Sequence, residues 1–291
     1  MRFAILFSLL FSLASFGGNA WLNDFAKAKE LAAKENRALL VNFTGSDWCG
    51  YCIRLQDAVF SKREFTTAAA KDYVLVAIDL PRRKKLAQPL HEQNAKLVHE
   101  YGIEGFPTVL LMDADGNTFG RLGYEEGGPD VYLEHLKGFA GNRKELGELR
   151  AKSVAGTEAE QAKATAELIW WYETRQIPAD KEALLNKIKA LDPDNKSGAI
   201  TPFEDMDKLI ELSSQVPAGH DFAAQAKAFA AVDKHVSVRF NAYLALLAHY
   251  QRSGDVDNVI STLEGALTVA PDEQMKQRIH GAIAQFQQIR K

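Results

Sequence analysis

The chain has 291 residues, 25% of them charged, and a formal net charge of −3. So small an imbalance gives no case for nucleic-acid binding, and a chain of this length can bury adequate cores without covalent staples. There are only two cysteines, so a framework of structural disulfides is excluded as well.

Residues 1–20 read as a secretory signal peptide. Arg2 supplies the positive start, Phe3 to Phe16 is an apolar run broken only by serines, and Gly18-Asn19-Ala20 puts small residues before a cleavage point after Ala20. The run is short for a membrane span. The expected mature protein is therefore exported and soluble.

Residues 21–145 form the first expected domain. Leu22, Phe25, Ala26, Ala28, Leu31 and Ala32 give residues 22–35 an apolar face at helical spacing. Ala38 to Phe43 reads as a buried strand, and Ile53, Leu55, Ala58, Val59 and Phe60 start a helix after it. Ser61 is placed to cap a second helical piece through Ala70. Tyr73 to Asp79 is an apolar run of the kind found in strands covered on both faces. A helix over 89–101, a strand from Thr108 to Met112, a turn at 113–117, a strand through Leu122 and a helix over 129–139 complete a mixed sheet with helices on both faces.

Between the first strand and the helix after it lies Trp48-Cys49-Gly50-Tyr51-Cys52, which holds both cysteines. A thiol in the first turn of a helix faces unpaired N–H groups and the positive end of the helix dipole, and both favour thiolate. Cys49 is placed to attack a disulfide and Cys52, one turn on, to resolve the mixed disulfide. Three other readings compete. Half a zinc site lacks a second Cys-x-x-Cys and a histidine at ligand spacing; haem attachment needs histidine where Ile53 stands; a structural disulfide closing so short a loop removes little chain entropy.

Residues 22–140 resemble the thioredoxin fold, and are similar to the exported thioredoxin-like proteins with a Gly-Ser-Asp-Trp-Cys motif. Three features carry the resemblance: Trp48-Cys49-Gly50-Tyr51-Cys52 at a strand–helix junction, the segment Tyr101-Gly102-Ile103-Glu104-Gly105-Phe106-Pro107-Thr108, and the element order. The resemblance implies a cis peptide at Phe106–Pro107 facing Cys49, with Phe106 and Pro107 shaping a substrate groove and Trp48, Gly50 and Tyr51 tuning the pair. It also implies a thiol–disulfide oxidoreductase, reductase or isomerase, with no dissociable cofactor and no metal. Its partners would be cysteine-containing exported proteins and an upstream redox partner.

Two departures from the pattern stand out. Asn42 occupies the place where many thioredoxins carry a buried aspartate that accepts the proton of the second cysteine. Asp47 is the other nearby carboxylate. Gly50-Tyr51 resembles the dipeptide of periplasmic disulfide isomerases rather than Gly-Pro, which implies a more oxidising couple. The basic run Arg82-Arg83-Lys84-Lys85 reads as a solvated loop or as a docking patch for an acidic partner.

Residues 146–291 form the second expected domain, all-α, with helices over 143–153, 157–175, 179–190, 203–213, 221–231, 236–252, 256–269 and 272–290. Phe240 to Pro271 resembles one tetratricopeptide unit, in which Ala242, Ala245 and Ala248 would let helices approach closely. Trp170-Trp171-Tyr172 reads as core. Such a helical-hairpin domain could bind a protein partner. In the rival reading of the whole chain, that domain is the functional part and the first is a scaffold with a permanently closed disulfide.

Overall fold

The computed structural model describes residues 21–214 and 222–290. The expected signal peptide and the turn at Gln215-Val216-Pro217 lie outside the described residues. The chain divides between Lys144 and Glu145 into two compact units.

The first unit is built on a five-stranded sheet. In chain order its strands are β1 (Trp21–Leu22), β2 (Ala38–Thr44), β3 (Tyr73–Asp79), β4 (Thr108–Met112) and β5 (Thr118–Leu122). Across the sheet they run β1-β3-β2-β4-β5. β2 and β1 both lie parallel to β3, whereas β4 is antiparallel to β2 and to β5. This is the mixed sheet of the thioredoxin-like fold. All seven residues of β2 are buried, as an apolar central strand requires.

The two-residue period of β2 splits the core. Leu39, Val41 and Phe43 pack with Phe25, Ala28 and Ala32 of α1 (Phe25–Glu35) and with Leu97 of α4 (Gln88–Glu100). The intervening positions are Leu40, Asn42 and Thr44. Beyond them run α2 (Gly50–Leu55), a π-helical continuation (Gln56–Phe60), α3 (Arg63–Ala69) and α5 (Gly128–Gly138). Phe60, Phe65 and Tyr132 form an aromatic cluster there, with centroids 5.0, 5.2 and 5.8 Å apart.

Two expectations need correction. The helix starts at Phe25 rather than residue 22, because Asp24 caps it by accepting the N–H of Lys27, while Trp21 and Leu22 pair with Leu75 and Val76 as an edge strand. Ser61 caps no helix: its hydroxyl donates back to Asp57 O at 3.3 Å, and α3 begins after Lys62 without a side-chain cap.

The second unit is entirely helical among its described residues. α6 (Ala140–Lys152) crosses the division. It is followed by α7 (Glu158–Thr174), α8 (Lys181–Leu191), α9 (Thr201–Ser214), α10 (Phe222–Phe229), α11 (Val236–Ser253), α12 (Val256–Leu267) and α13 (Glu273–Ile289). The stops and starts are chemical. Thr157 and Glu160 close a capping box on α7; Asp180, Asp255 and Asp272 cap α8, α12 and α13. Gly254 ends α11 at φ 72°, where glycine carries no steric cost.

Trp170, Trp171 and Tyr172 are all buried. The Trp170 ring is sandwiched between Phe203 at 4.7 Å and His235 at 4.6 Å. α11 and α12 form a hairpin whose close point is Gly265: a Cβ there would meet the Tyr243 ring. Ala245 packs in the cluster that holds the α12 residues, Ala242 is fully buried against Leu209 and Ala230 instead, and Ala248 is exposed and does not mediate the approach.

Candidate active site

The site grows from the carboxyl end of β2. After Thr44 the chain turns through Gly45, Ser46, Asp47 and Trp48, and Cys49 caps α2 with extended backbone. Gly45 is required there. A Cβ on it would lie 2.6 Å from Trp48 Nε1, inside the indole. The turn closes on its own backbone, with Cys49 N–H donating to Gly45 O at 3.0 Å.

Cys49 and Cys52 are joined as a disulfide, Cα to Cα 5.2 Å. Both are buried, Cys49 being 6% and Cys52 3% exposed. Cys49 Sγ accepts the backbone N–H of Cys52 at 3.2 Å, the role an N-cap side chain plays. That donor and the start of the helix face Cys49 Sγ rather than Cys52.

The turn is strapped to the segment that follows β3. Asp79 accepts from Ser46 twice, from N–H at 2.9 Å and from the hydroxyl at 2.6 Å. Trp48 Nε1 donates to Leu80 O at 2.8 Å. Asp47 accepts the backbone N–H groups of Arg82, Arg83 and Lys84 at 2.9, 2.8 and 2.9 Å. These bonds, that of Arg82 first, hold the Asp47 carboxyl below the usual carboxylate range. Asp47 is thus committed to the loop and is not the proton acceptor beneath Cys52.

Aromatic side chains rim the disulfide. Trp48 meets Phe106 edge-on at 5.6 Å, and the Arg82 guanidinium lies 3.8 Å over the Trp48 ring. Tyr51 is exposed, packs at 5.2 Å on Tyr124 and carries Arg54 above its ring. Gly50 is exposed in the first turn of α2, and a Cβ there would meet nothing. The Phe106–Pro107 peptide is cis. Thr108 follows it, donates its hydroxyl to Gly105 O at 2.8 Å and pairs with Phe43 of β2. The structure therefore gathers Trp48, Cys49, Gly50, Tyr51 and Cys52 on one junction and brings Phe106 to it through Trp48.

A cavity of about 280 Å³ opens beside Cys52, which lines it with Asn42, Thr44, Asp57 and Asp79 among others. Asn42 is buried, and its Oδ1 has no hydrogen-bond partner. Tyr124, Asp57, Asp79 and the straps from Leu80 to Lys84 escaped the sequence reading. Only Asp79 left a signal there, as a carboxylate ending the strand next to the cysteine strand.

A thioredoxin-like domain family profile matches residues 25–137. The chain is 31% identical over 119 residues to the disulfide bond reductase DsbH of Chlamydia pneumoniae, a match covering 41% of this chain and 72% of that protein. This chain belongs to the thioredoxin-like family. It is also 25% identical over 103 residues to the thioredoxin-related protein DsbJ of the same organism, covering 35% of this chain and 30% of that one. Among solved structures, a DsbH oxidoreductase matches at 31% identity with a TM-score of 0.39, over 41% of this chain and 82% of that one. The oxidised C-terminal domain of DsbD from Neisseria meningitidis matches at 18% identity with a TM-score of 0.30, over 38% and 89%. All these matches leave most of this thioredoxin-like chain uncovered.

Proposed function

We propose that this protein is an exported thiol–disulfide oxidoreductase, a reductase or isomerase of disulfides in exported proteins. The observation that carries the reading is the Cys49–Cys52 disulfide at a helix start, with Cys49 Sγ accepting the Cys52 N–H. The likeness to a named disulfide bond reductase supports the same enzyme class. Export rests on residues 1–20. No helix among the described residues is long and apolar enough to cross a membrane.

In the reductase direction the Cys49 thiolate attacks one sulfur of a substrate disulfide. A mixed disulfide forms and the other substrate sulfur leaves as a thiolate. Cys52 then loses its proton and attacks Cys49 Sγ, and the second substrate sulfur leaves. Two electrons have passed to the substrate, and the Cys49–Cys52 disulfide has formed. An upstream dithiol partner returns them by the same exchange in reverse, so no dissociable cofactor enters. In the isomerase direction a second substrate thiol, rather than Cys52, releases the enzyme. Phe106 and Pro107 border the groove in which the substrate strand lies, and Trp48, Gly50 and Tyr51 set its entrance.

The test is glutathione titration of the pair together with trapping in cells. Cys52→Ser leaves Cys49 unable to be resolved, so mixed disulfides with exported proteins accumulate; Cys49→Ser traps none. A potential near about −270 mV marks a reductant, and one near about −180 to −120 mV an isomerase or oxidant. A disulfide that glutathione cannot open, with no adducts on Cys52→Ser, would overturn the proposal.

A further inference from the structure

The segment after β3 carries Arg82, Arg83, Lys84 and Lys85, all exposed. A basic run in a solvated loop ordinarily has no fixed address. Here its backbone is clamped. Three successive N–H groups converge on one carboxylate, that of Asp47, two residues before Cys49. The Trp48–Leu80 bond and the Ser46–Asp79 pair fasten the same segment from its other end. Ordering an exposed loop costs backbone entropy, so a clamp of this kind exchanges freedom for position.

The position is beside the reacting sulfurs. Arg82 lies over Trp48, whose ring meets Phe106. No ion pair among the described residues engages Lys84 or Lys85, and the clamp sets four cations against two carboxylates, Asp47 and Asp79. On the other flank of the pair, Tyr51 packs on Tyr124 and carries the Arg54 guanidinium above its ring, and Glu125 and Glu126 follow Tyr124 in the chain. The fixed concentration of like charge is therefore at Trp48, where Arg82 lies on the ring and the clamp holds the backbone of Arg83 and Lys84.

We infer that the 82–85 segment is a specificity element that selects substrate polypeptides with acidic residues flanking the cysteine on the side that crosses Trp48. This rests on the oxidoreductase reading and adds the substrate class. Charges at the rim of an interface act chiefly by steering encounter, and salt screens them. The selection therefore appears in kcat/KM at low ionic strength.

The experiment uses the purified full chain and three synthetic peptides with the same internal disulfide, flanked by aspartates, by serines or by lysines. Reduction is followed with excess dithiol donor at about 10 mM and about 300 mM salt. The aspartate peptide is expected to exceed the lysine peptide about tenfold in kcat/KM at low salt, with the two converging at high salt. R83E/K84E/K85E reverses that order. Asp47→Ala, which keeps all four cations but frees the loop, lowers the preference at least twofold.

Equal rates for the two charged peptides, or a ranking that survives the triple reversal, overturn the inference and leave the enzyme class standing. So does loss of binding to phosphatidylglycerol vesicles in the triple variant with the peptide ranking unchanged, which would assign the loop to a lipid surface. Failure to reduce any of the three peptides removes the oxidoreductase reading itself, and the selection with it.

Discussion

Trp48 donates its indole N–H to the carbonyl of Leu80 at 2.8 Å, joining the residue before Cys49 to the residue that follows β3. Arg82 covers the same ring. Trp48→Phe keeps an aromatic surface against Phe106 but leaves the Leu80 carbonyl without its donor. The expected loss is about 1 kcal/mol for the hydrogen bond and a few tenths more for the weaker cation–π contact. Urea denaturation of the oxidised protein measures it. An unchanged midpoint would show that the strap contributes nothing to stability.

Asp47→Ala tests the other strap. Its carboxyl is held below the ordinary value by the N–H groups of Arg82, Lys84 and Arg83. For an acid depressed in the folded state, the stabilisation is complete above the unfolded value and fades as pH falls through the folded one. Amide exchange of Arg82, Arg83 and Lys84 should therefore be protected at neutral pH and lose protection only well into acid. In Asp47→Ala all three amides should exchange faster wherever the parent's carboxylate is charged, and the difference should close in acid. Protection retained in the variant would mean that the loop is ordered by something other than this carboxylate.

The reach of the sequence can be judged residue by residue. β2 and β3 were legible because strands buried on both faces read as unbroken apolar runs. The helices of the second unit fall close to their expected ranges, and in the structure Thr157, Asp180, Asp255 and Asp272 cap their starts and Gly254 ends one. β1 was not legible, since two residues carry no periodicity. The cysteine pair was legible from its place between an apolar strand and a helix, and the cis proline only through resemblance to the family. The clamp on Asp47 was not: it joins a side chain to backbone amides 35 to 37 residues away, and backbone groups leave no trace in sequence.

Asn42 offers a sharper test of the space beside Cys52. It is 4% exposed, its Oδ1 is unpaired, and the cavity it lines includes Cys52. Asn42→Asp puts a carboxyl there with no cation beside it. Burial disfavours the charged form, so its folded pKa rises above the unfolded one. The variant should match the parent below about pH 4 and lose stability as pH rises, by about 1–3 kcal/mol near pH 8. It should also speed the resolving attack of Cys52 by supplying a proton acceptor, seen as a shorter lifetime of the mixed disulfide. Parallel stability curves for variant and parent would mean that the cavity solvates the carboxylate fully.

His235 should make the stability of the whole chain pH-dependent. Its ring stacks on Trp170 at 4.6 Å, and its Nδ1 accepts the N–H of Ser237 at 3.2 Å, so the neutral ring caps α11. Burial lowers its pKa from the ordinary 6.5, and Glu167 opposes that shift in part. The unfolded chain therefore takes up this proton first as pH falls. Stability is full above the ordinary value and is lost as pH drops below it, until the folded value is passed. His235→Asn retains a capping oxygen and removes the titration. Denaturation midpoints from about pH 8 to about pH 5 should fall more steeply in the parent than in His235→Asn, the difference opening near pH 6.5. Identical slopes would mean that the stacked imidazole accepts its proton as readily as a solvated one.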